Sequence, residues 1–185
     1  MKKFLLLLAL FALAAPVAFG AILTHTWTGT EPTHMGRVFR DGIPSDWTSP
    51  KAFPGILDAS NPHAYTTFSI TNTYGTAVPL YITQTAGLGG SVMDFIVAYL
   101  GTFNPADLSA NYMGDIGTSW TSSPGMFSVL VPAGATVVIN AHQVFAGNPT
   151  GLTTTLDAQL VPEPSAITLV GLGGLALLAF RRRRV

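Results

Sequence analysis

At 185 residues, with 10% charged side chains, no cysteine and a formal net charge of zero, the chain has length for one core and must hold it without disulfides. The zero conceals an uneven distribution: Lys2 and Lys3 stand near the start, Arg181, Arg182, Arg183 and Arg184 near the end, and only Arg37, Arg40 and Lys51 between them. Residues 21–164 therefore carry three basic against nine acidic side chains, a charge of −6, which excludes nucleic acid and anionic membrane surfaces as partners of the body, since both reward Lys and Arg.

The chain opens with a basic pair, an apolar run over 4–15 and small residues at Ala18 and Gly20. That order predicts a secretory signal peptide over 1–20, helical in its apolar part, which signal peptidase removes to leave Ala21 first.

From 21 to 161 the chain reads as one exported domain of strands and turns, rich in Thr, Val, Ile and aromatics and punctuated by Gly and Pro, with no sustained helical period. A first strand is expected over 21–28 and a short second over 36–41. An irregular Ser/Pro/Gly loop should follow to about Pro62, anchored by Trp47 and Phe53. Alternation then predicts strands over 65–72, with Phe68 and Ile70 on one face, and over 78–83, with Val78, Leu80 and Ile82 on one face and Tyr81 and Thr83 on the other. Residues 92–100 are more continuously apolar, broken by Asp94, as in a central strand covered on both faces. After a loop over 104–120 holding one short element, strands are expected at 126–131, 135–145 and 153–161. Seven to nine short strands with turns between them predict an all-β fold, an antiparallel β-sandwich of jelly-roll type.

The search for chemistry in this body is short. His25, His34, His63 and His142 have no zinc-ligand spacing and read as polar residues on solvated faces or loops. No Gly-x-Ser-x-Gly elbow occurs, and a triad of Ser91, His142 and Asp94 could be assembled only on paper. No metal site is predicted. The candidates for calcium are Asp107 and Asp115, which with Asn104 and Asn111 bring hard oxygen ligands into one segment but lack EF-hand spacing; Asn and Asp are equally good turn residues. Trp27, Trp47, Trp120, Tyr74, Tyr81 and Tyr112 could supply a sugar-stacking patch or serve as core and loop anchors.

The chain closes with Pro162-Glu163-Pro164, an apolar run over 166–180 and the four arginines. In lipid such a run is helical, so a transmembrane helix is expected over 165–180. Fifteen residues of helix rise about 23 Å, short of the usual hydrocarbon thickness, and long arginine stems relieve part of the mismatch. The arginines form a cytoplasmic stop and place the body on the other side. Pro162 and Pro164 keep the segment before the span extended and accessible.

This ordered tail over 161–185 resembles the PEP-CTERM sorting signal of Gram-negative bacteria. The resemblance implies recognition of Pro162, Glu163 and Pro164 by a membrane-embedded exosortase that uses a cysteine of its own, removal of the anchor near the motif, and release to the cell surface or extracellular matrix. The alternative is a single-span protein whose tail is never cut. In the body, GRVFRDG at 36–42, YLGTFNP at 99–105, NYMGD at 111–115 and FSVLVPAG at 127–134 resemble a sandwich module of large bacterial surface proteins, an accessory part with no settled activity. The expectation is an exported, non-enzymatic surface or matrix protein associated with exopolysaccharide or biofilm. A secreted carbohydrate- or calcium-binding module and a small secreted hydrolase are the alternatives.

Overall fold

The computed structural model describes residues 19–90, 92–145, 147 and 149–162. Among them there are nine strands and no helix: β1 (Phe19–Thr26), β2 (Thr33–Val38), β3 (Ile56–Thr71), β4 (Val78–Ala86), β5 (Asp94–Leu100), β6 (Tyr112–Asp115), β7 (Gly125–Val131), β8 (Thr136–Gln143) and β9 (Thr153–Leu160). They form two antiparallel sheets, β1-β9-β4-β7 and β2-β3-β8-β5-β6.

With β2 set aside, the pairings are nested: β1 with β9, β3 with β8, β4 with β7 and β5 with β6. That nesting is a long antiparallel hairpin rolled into two layers, the jelly-roll arrangement expected from the spacing of the strands. The additional strand β2 lines the edge beside β3.

Period-two alternation decides what enters the core. On β4, Val78, Leu80 and Ile82 are buried while Tyr81 and Thr83 are only half covered; on β9, Leu156, Ala158 and Leu160 are buried while Thr155, Asp157 and Gln159 are not. Phe127, Val129 and Val131 of β7 add to this inner row. β5 is buried on both faces, one packing between the sheets and the other covered in part by the loop residue Phe103, whose ring meets Tyr99. Each such Leu, Ile, Val or Phe contributes about 1.5–3 kcal/mol when taken from water. Asn72, fully buried, donates from one amide to the carbonyls of Thr76, Val131 and Pro132 and so ties two turns together.

Two boundaries differ from the sequence reading. The segment from 56 to 62, expected in a loop, is the first half of β3 and pairs with β2 across a bulge between Met35 and Arg37. Its residues are exposed and include Asp58, Asn61 and Pro62, so neither hydrophobic alternation nor strand propensity announces it; the neighbouring strand supplies the order. β1 starts at Phe19, where Phe19 and Gly20 pair with Leu160 and Gln159. Cleavage ahead of Ala21 would trim two exposed residues from an edge strand. The predicted signal helix and transmembrane helix otherwise fall at 1–18 and 163–185, outside the described residues.

Candidate functional site

β6 and β7 are the edge strands of the two sheets on the same side of the sandwich. A segment from 42 to 47 lies across both. Gly42 N donates to Gly117 O (3.1 Å) and Ser45 N to Asp115 O (2.9 Å) on the β6 side, while Ser128 N of β7 donates to Ser45 O (2.9 Å). The segment thus pairs with both open edges, which would otherwise present unpaired backbone groups. Two glycines make the approach possible. A Cβ on Gly114 would meet Ser45 Oγ at 2.5 Å, and Gly117, at φ +77°, would place a Cβ 2.6 Å from Ile43 C.

Just past this crossing, Trp47 lies over the outer face of the β4–β7 pair. Its backbone N–H donates to Ser128 Oγ (3.1 Å) and its indole Nε1–H to Tyr81 Oη (3.0 Å). Asp46 is exposed, and its Oδ1 accepts from Thr48 N (2.9 Å) and Thr48 Oγ1 (3.0 Å). These residues, with Met126, line a cleft of about 370 Å³. Lys51 holds the far end of the loop: its Nζ donates to Asp115 Oδ1 (2.9 Å), Asp41 Oδ1 (2.7 Å) and Ile43 O (2.6 Å). Of the six aromatics singled out in the sequence, Trp47 and Tyr81 are brought together here. Trp27 is buried, with its Nε1–H on Thr154 Oγ1 (3.0 Å), and Tyr112 packs on Phe53 and Tyr99.

The two calcium candidates stand in different surroundings. Asp107 is exposed and closes a local turn, its Oδ1 accepting from Ser109 N and Oγ, which hold its carboxyl below the usual range. Asp115 is fully buried and already faces a cation, the Lys51 ammonium; it also accepts from Gly117 N (2.7 Å) and Tyr112 Oη (2.5 Å). Among the described residues no group of three or more His, Asp or Glu side chains is gathered for a metal ion.

Three of the four histidines are not on solvated faces or loops; His25 alone stays partly exposed, on β1 beside Glu31. His34, His63 and His142 are buried, on the adjacent strands β2, β3 and β8 and on one face of that sheet. Their rings lie 6.3 Å (His34–His63) and 5.1 Å (His34–His142) apart, beside Tyr65 and Phe103. Each Nδ1–H donates to an oxygen: Gly36 O, Gln143 O and Asn140 Oδ1 respectively. Burial, reinforced by the neighbouring His63, holds His34 down to about 4; burial together with His34, His63, Arg37 and Arg40 holds His142 well below its ordinary value. A polar sequence hid these residues because their cover comes from strands and loops distant along the chain.

The paper triad does not assemble from its described members. Asp94 faces between the sheets, where its carboxylate accepts from Gln84 Nε2 (2.8 Å), Leu88 N (3.1 Å) and Thr154 Oγ1, and burial pushes it up to about 6 against those hydrogen bonds. His142 pairs with Phe95 in register, so it emerges on the opposite face from Asp94. Ser91 lies outside the described residues.

The sandwich ends with β9 at Leu160, after which Val161 N donates to Pro79 O (3.0 Å). From that residue onward the sequence changes character, and residues 160–184 match the PEP-CTERM protein-sorting motif. The chain carries a PEP-CTERM sorting motif. The motif makes this an exported protein, handled by an exosortase and anchored in the membrane before it reaches the cell surface. Of the motif, Pro162 is described; Glu163, Pro164, Arg181, Arg182, Arg183 and Arg184 lie outside the described residues, as does Ala18 of the expected signal cleavage site. No curated protein matches the chain. Among solved structures, CBM35 from Cellvibrio japonicus Abf62 is similar at 11% identity over 78% of this chain and 94% of that one, with a TM-score of 0.36.

Proposed function

We propose that the PEP-CTERM protein is a non-catalytic component of the cell surface or extracellular matrix of a Gram-negative bacterium, delivered by its tail and lodged in exopolysaccharide or biofilm. The observation that carries this reading is the position of the sorting motif. It starts at Leu160, the last residue of β9, so cutting near Pro162, Glu163 and Pro164 releases a sandwich with every described strand intact. The tail is the delivery device and the sandwich the cargo. Lys2 and Lys3 at one end and the arginines at the other hold the body outside the cytoplasm in a single topology.

The mature C-terminus, measured by mass spectrometry in strains with and without the exosortase, tests it. The expected result is a terminus near 162–164 when the enzyme is present and an intact arginine tail when it is absent. An intact tail in both strains would make the segment an ordinary membrane anchor. A second reading, carbohydrate binding by the sandwich itself, is favoured by the cleft that Trp47 and Tyr81 form.

A further inference from the structure

Resting on the reading that the sandwich is delivered into an extracellular polysaccharide, we propose that the Trp47–Tyr81 cleft binds neutral hexopyranose units of that polymer. A volume of about 370 Å³ lies in the range of small-ligand sites, and the lining combines apolar surface with a few placed polar groups. Trp47, Tyr81 and Met126 supply the apolar part; Met126 is 55% exposed and Trp47 half-buried, so their surface is available. A pyranose ring turns a row of C–H groups to one side, and these pack on the negative face of an indole or phenol. Its hydroxyls must keep hydrogen bonds when they leave water, and Asp46 and Thr48 stand at the rim to receive them. Among the described residues the second carboxylate oxygen of Asp46 has no protein partner, because Thr48 engages Oδ1 alone.

The cleft is also preorganised. Trp47 is held at its backbone by Ser128 and at its ring by Tyr81, and Ser45 beside it is bonded to both edge strands. Ordering an aromatic side chain beforehand removes that cost from binding. Charge selects among sugars. Asp46 lines the cleft and no Lys, Arg or His does. A uronate or sulfated chain would meet repulsion without a cation to offset it, whereas a neutral hexose polymer meets only acceptors and donors.

The test uses the full chain in a zwitterionic, sugar-free detergent, titrated with cellohexaose, mannohexaose and an oligogalacturonate by calorimetry and tryptophan fluorescence. Binding of at least one neutral hexaose is expected, with Trp47→Ala weakening it by about tenfold or more and Trp47→Phe by only a few-fold. Asp46→Asn, a change at an exposed side chain, weakens it several-fold without altering the thermal transition, which keeps the test independent of any loosening in Trp47→Ala. Trp120→Phe leaves affinity unchanged. The proposal is overturned by neutral-sugar binding that both the Trp47 and Asp46 variants retain, by preference for the uronate, or by no binding of either hexaose at about 10 mM. Failure here beside normal tail processing removes the ligand and leaves delivery standing; sugar binding by a protein whose tail is never cut does the reverse.

Discussion

The Lys51 ammonium lies 2.9 Å from Oδ1 of Asp115, a carboxylate with no solvent exposure, and links it to Asp41 Oδ1 at 2.7 Å. This ion pair joins the loop that carries Trp47 to the edge of the five-stranded sheet. A buried pair of this kind adds modest net stability when intact, but removing one partner strands the other charge. Lys51→Met is therefore expected to destabilise the fold by about 3–5 kcal/mol, read as a lower urea midpoint, whereas Lys51→Met combined with Asp115→Asn recovers much of the loss. Equal midpoints for the single and double variants would show that the charge on Asp115 is not what the lysine answers.

Gly117 carries a second, independent constraint on the same loop. At φ +77° with backbone of Ile43 and Pro44 within 2.6 Å of a would-be Cβ, it cannot accept a side chain without moving residues 43–44. Gly117→Ala is expected to cost on the order of 1–3 kcal/mol and to shift the Trp47 indole N–H resonance, because the loop must lift from β6. Gly134→Ala, at φ +70° but in open space, should cost less and leave that resonance in place.

Acid stability is set by groups that pull in opposite directions. His34, held down to about 4, and His142, held well below its ordinary value, remain neutral in the fold while unfolded imidazoles take up protons near 6.5. Their contribution is present above about 6.5 and is lost as pH falls from there towards 4, on the order of 3 kcal/mol for His34. Asp94, pushed up to about 6, gains a proton in the fold before the unfolded chain does near 3.9, so its contribution grows as pH falls from 6 to 4. The histidines outnumber it, so urea midpoints should fall between pH 7.5 and 4.5. The fall is steeper in Asp94→Asn and shallower in His34→Gln; parallel profiles for the three proteins would contradict the assignment.

The two ends should behave as separable signals. N-terminal sequencing of the exported protein is expected to begin at Ala21. Replacing Arg181, Arg182, Arg183 and Arg184 by Gln removes the charges that resist translocation, so the body should appear outside without the anchored intermediate. Replacing Pro162, Glu163 and Pro164 by Ala should leave anchoring intact and abolish release. Unchanged fractionation of both variants would place the address elsewhere in the chain.

Much of the sandwich was legible because its cause is local. The alternation of Val78, Leu80 and Ile82 with Tyr81 and Thr83, the apolar run that follows Asp94 in β5 and the inward row Leu156, Ala158, Leu160 are properties of neighbouring residues, and a strand must bury one side or both. The sorting motif was legible for the same reason: Pro-Glu-Pro, a charge-free stretch and a block of arginines follow one another within a few residues and need no fold to be read.

What only the tertiary structure decided involves partners far apart in sequence. The first half of β3 is a strand because β2 pairs with it, and its exposed Asp58, Asn61 and Pro62 carry no pattern that says so. His34, His63 and His142 became one buried cluster because β2, β3 and β8 are neighbours in the sheet. Asp115 looked like a calcium ligand beside Asp107 until a lysine 64 residues away took its charge. Trp47 and Tyr81, 34 residues apart, meet because one loop must satisfy two open strand edges at once. Backbone hydrogen bonding and charge pairing act through space, and one-dimensional order records only the short-range part of either.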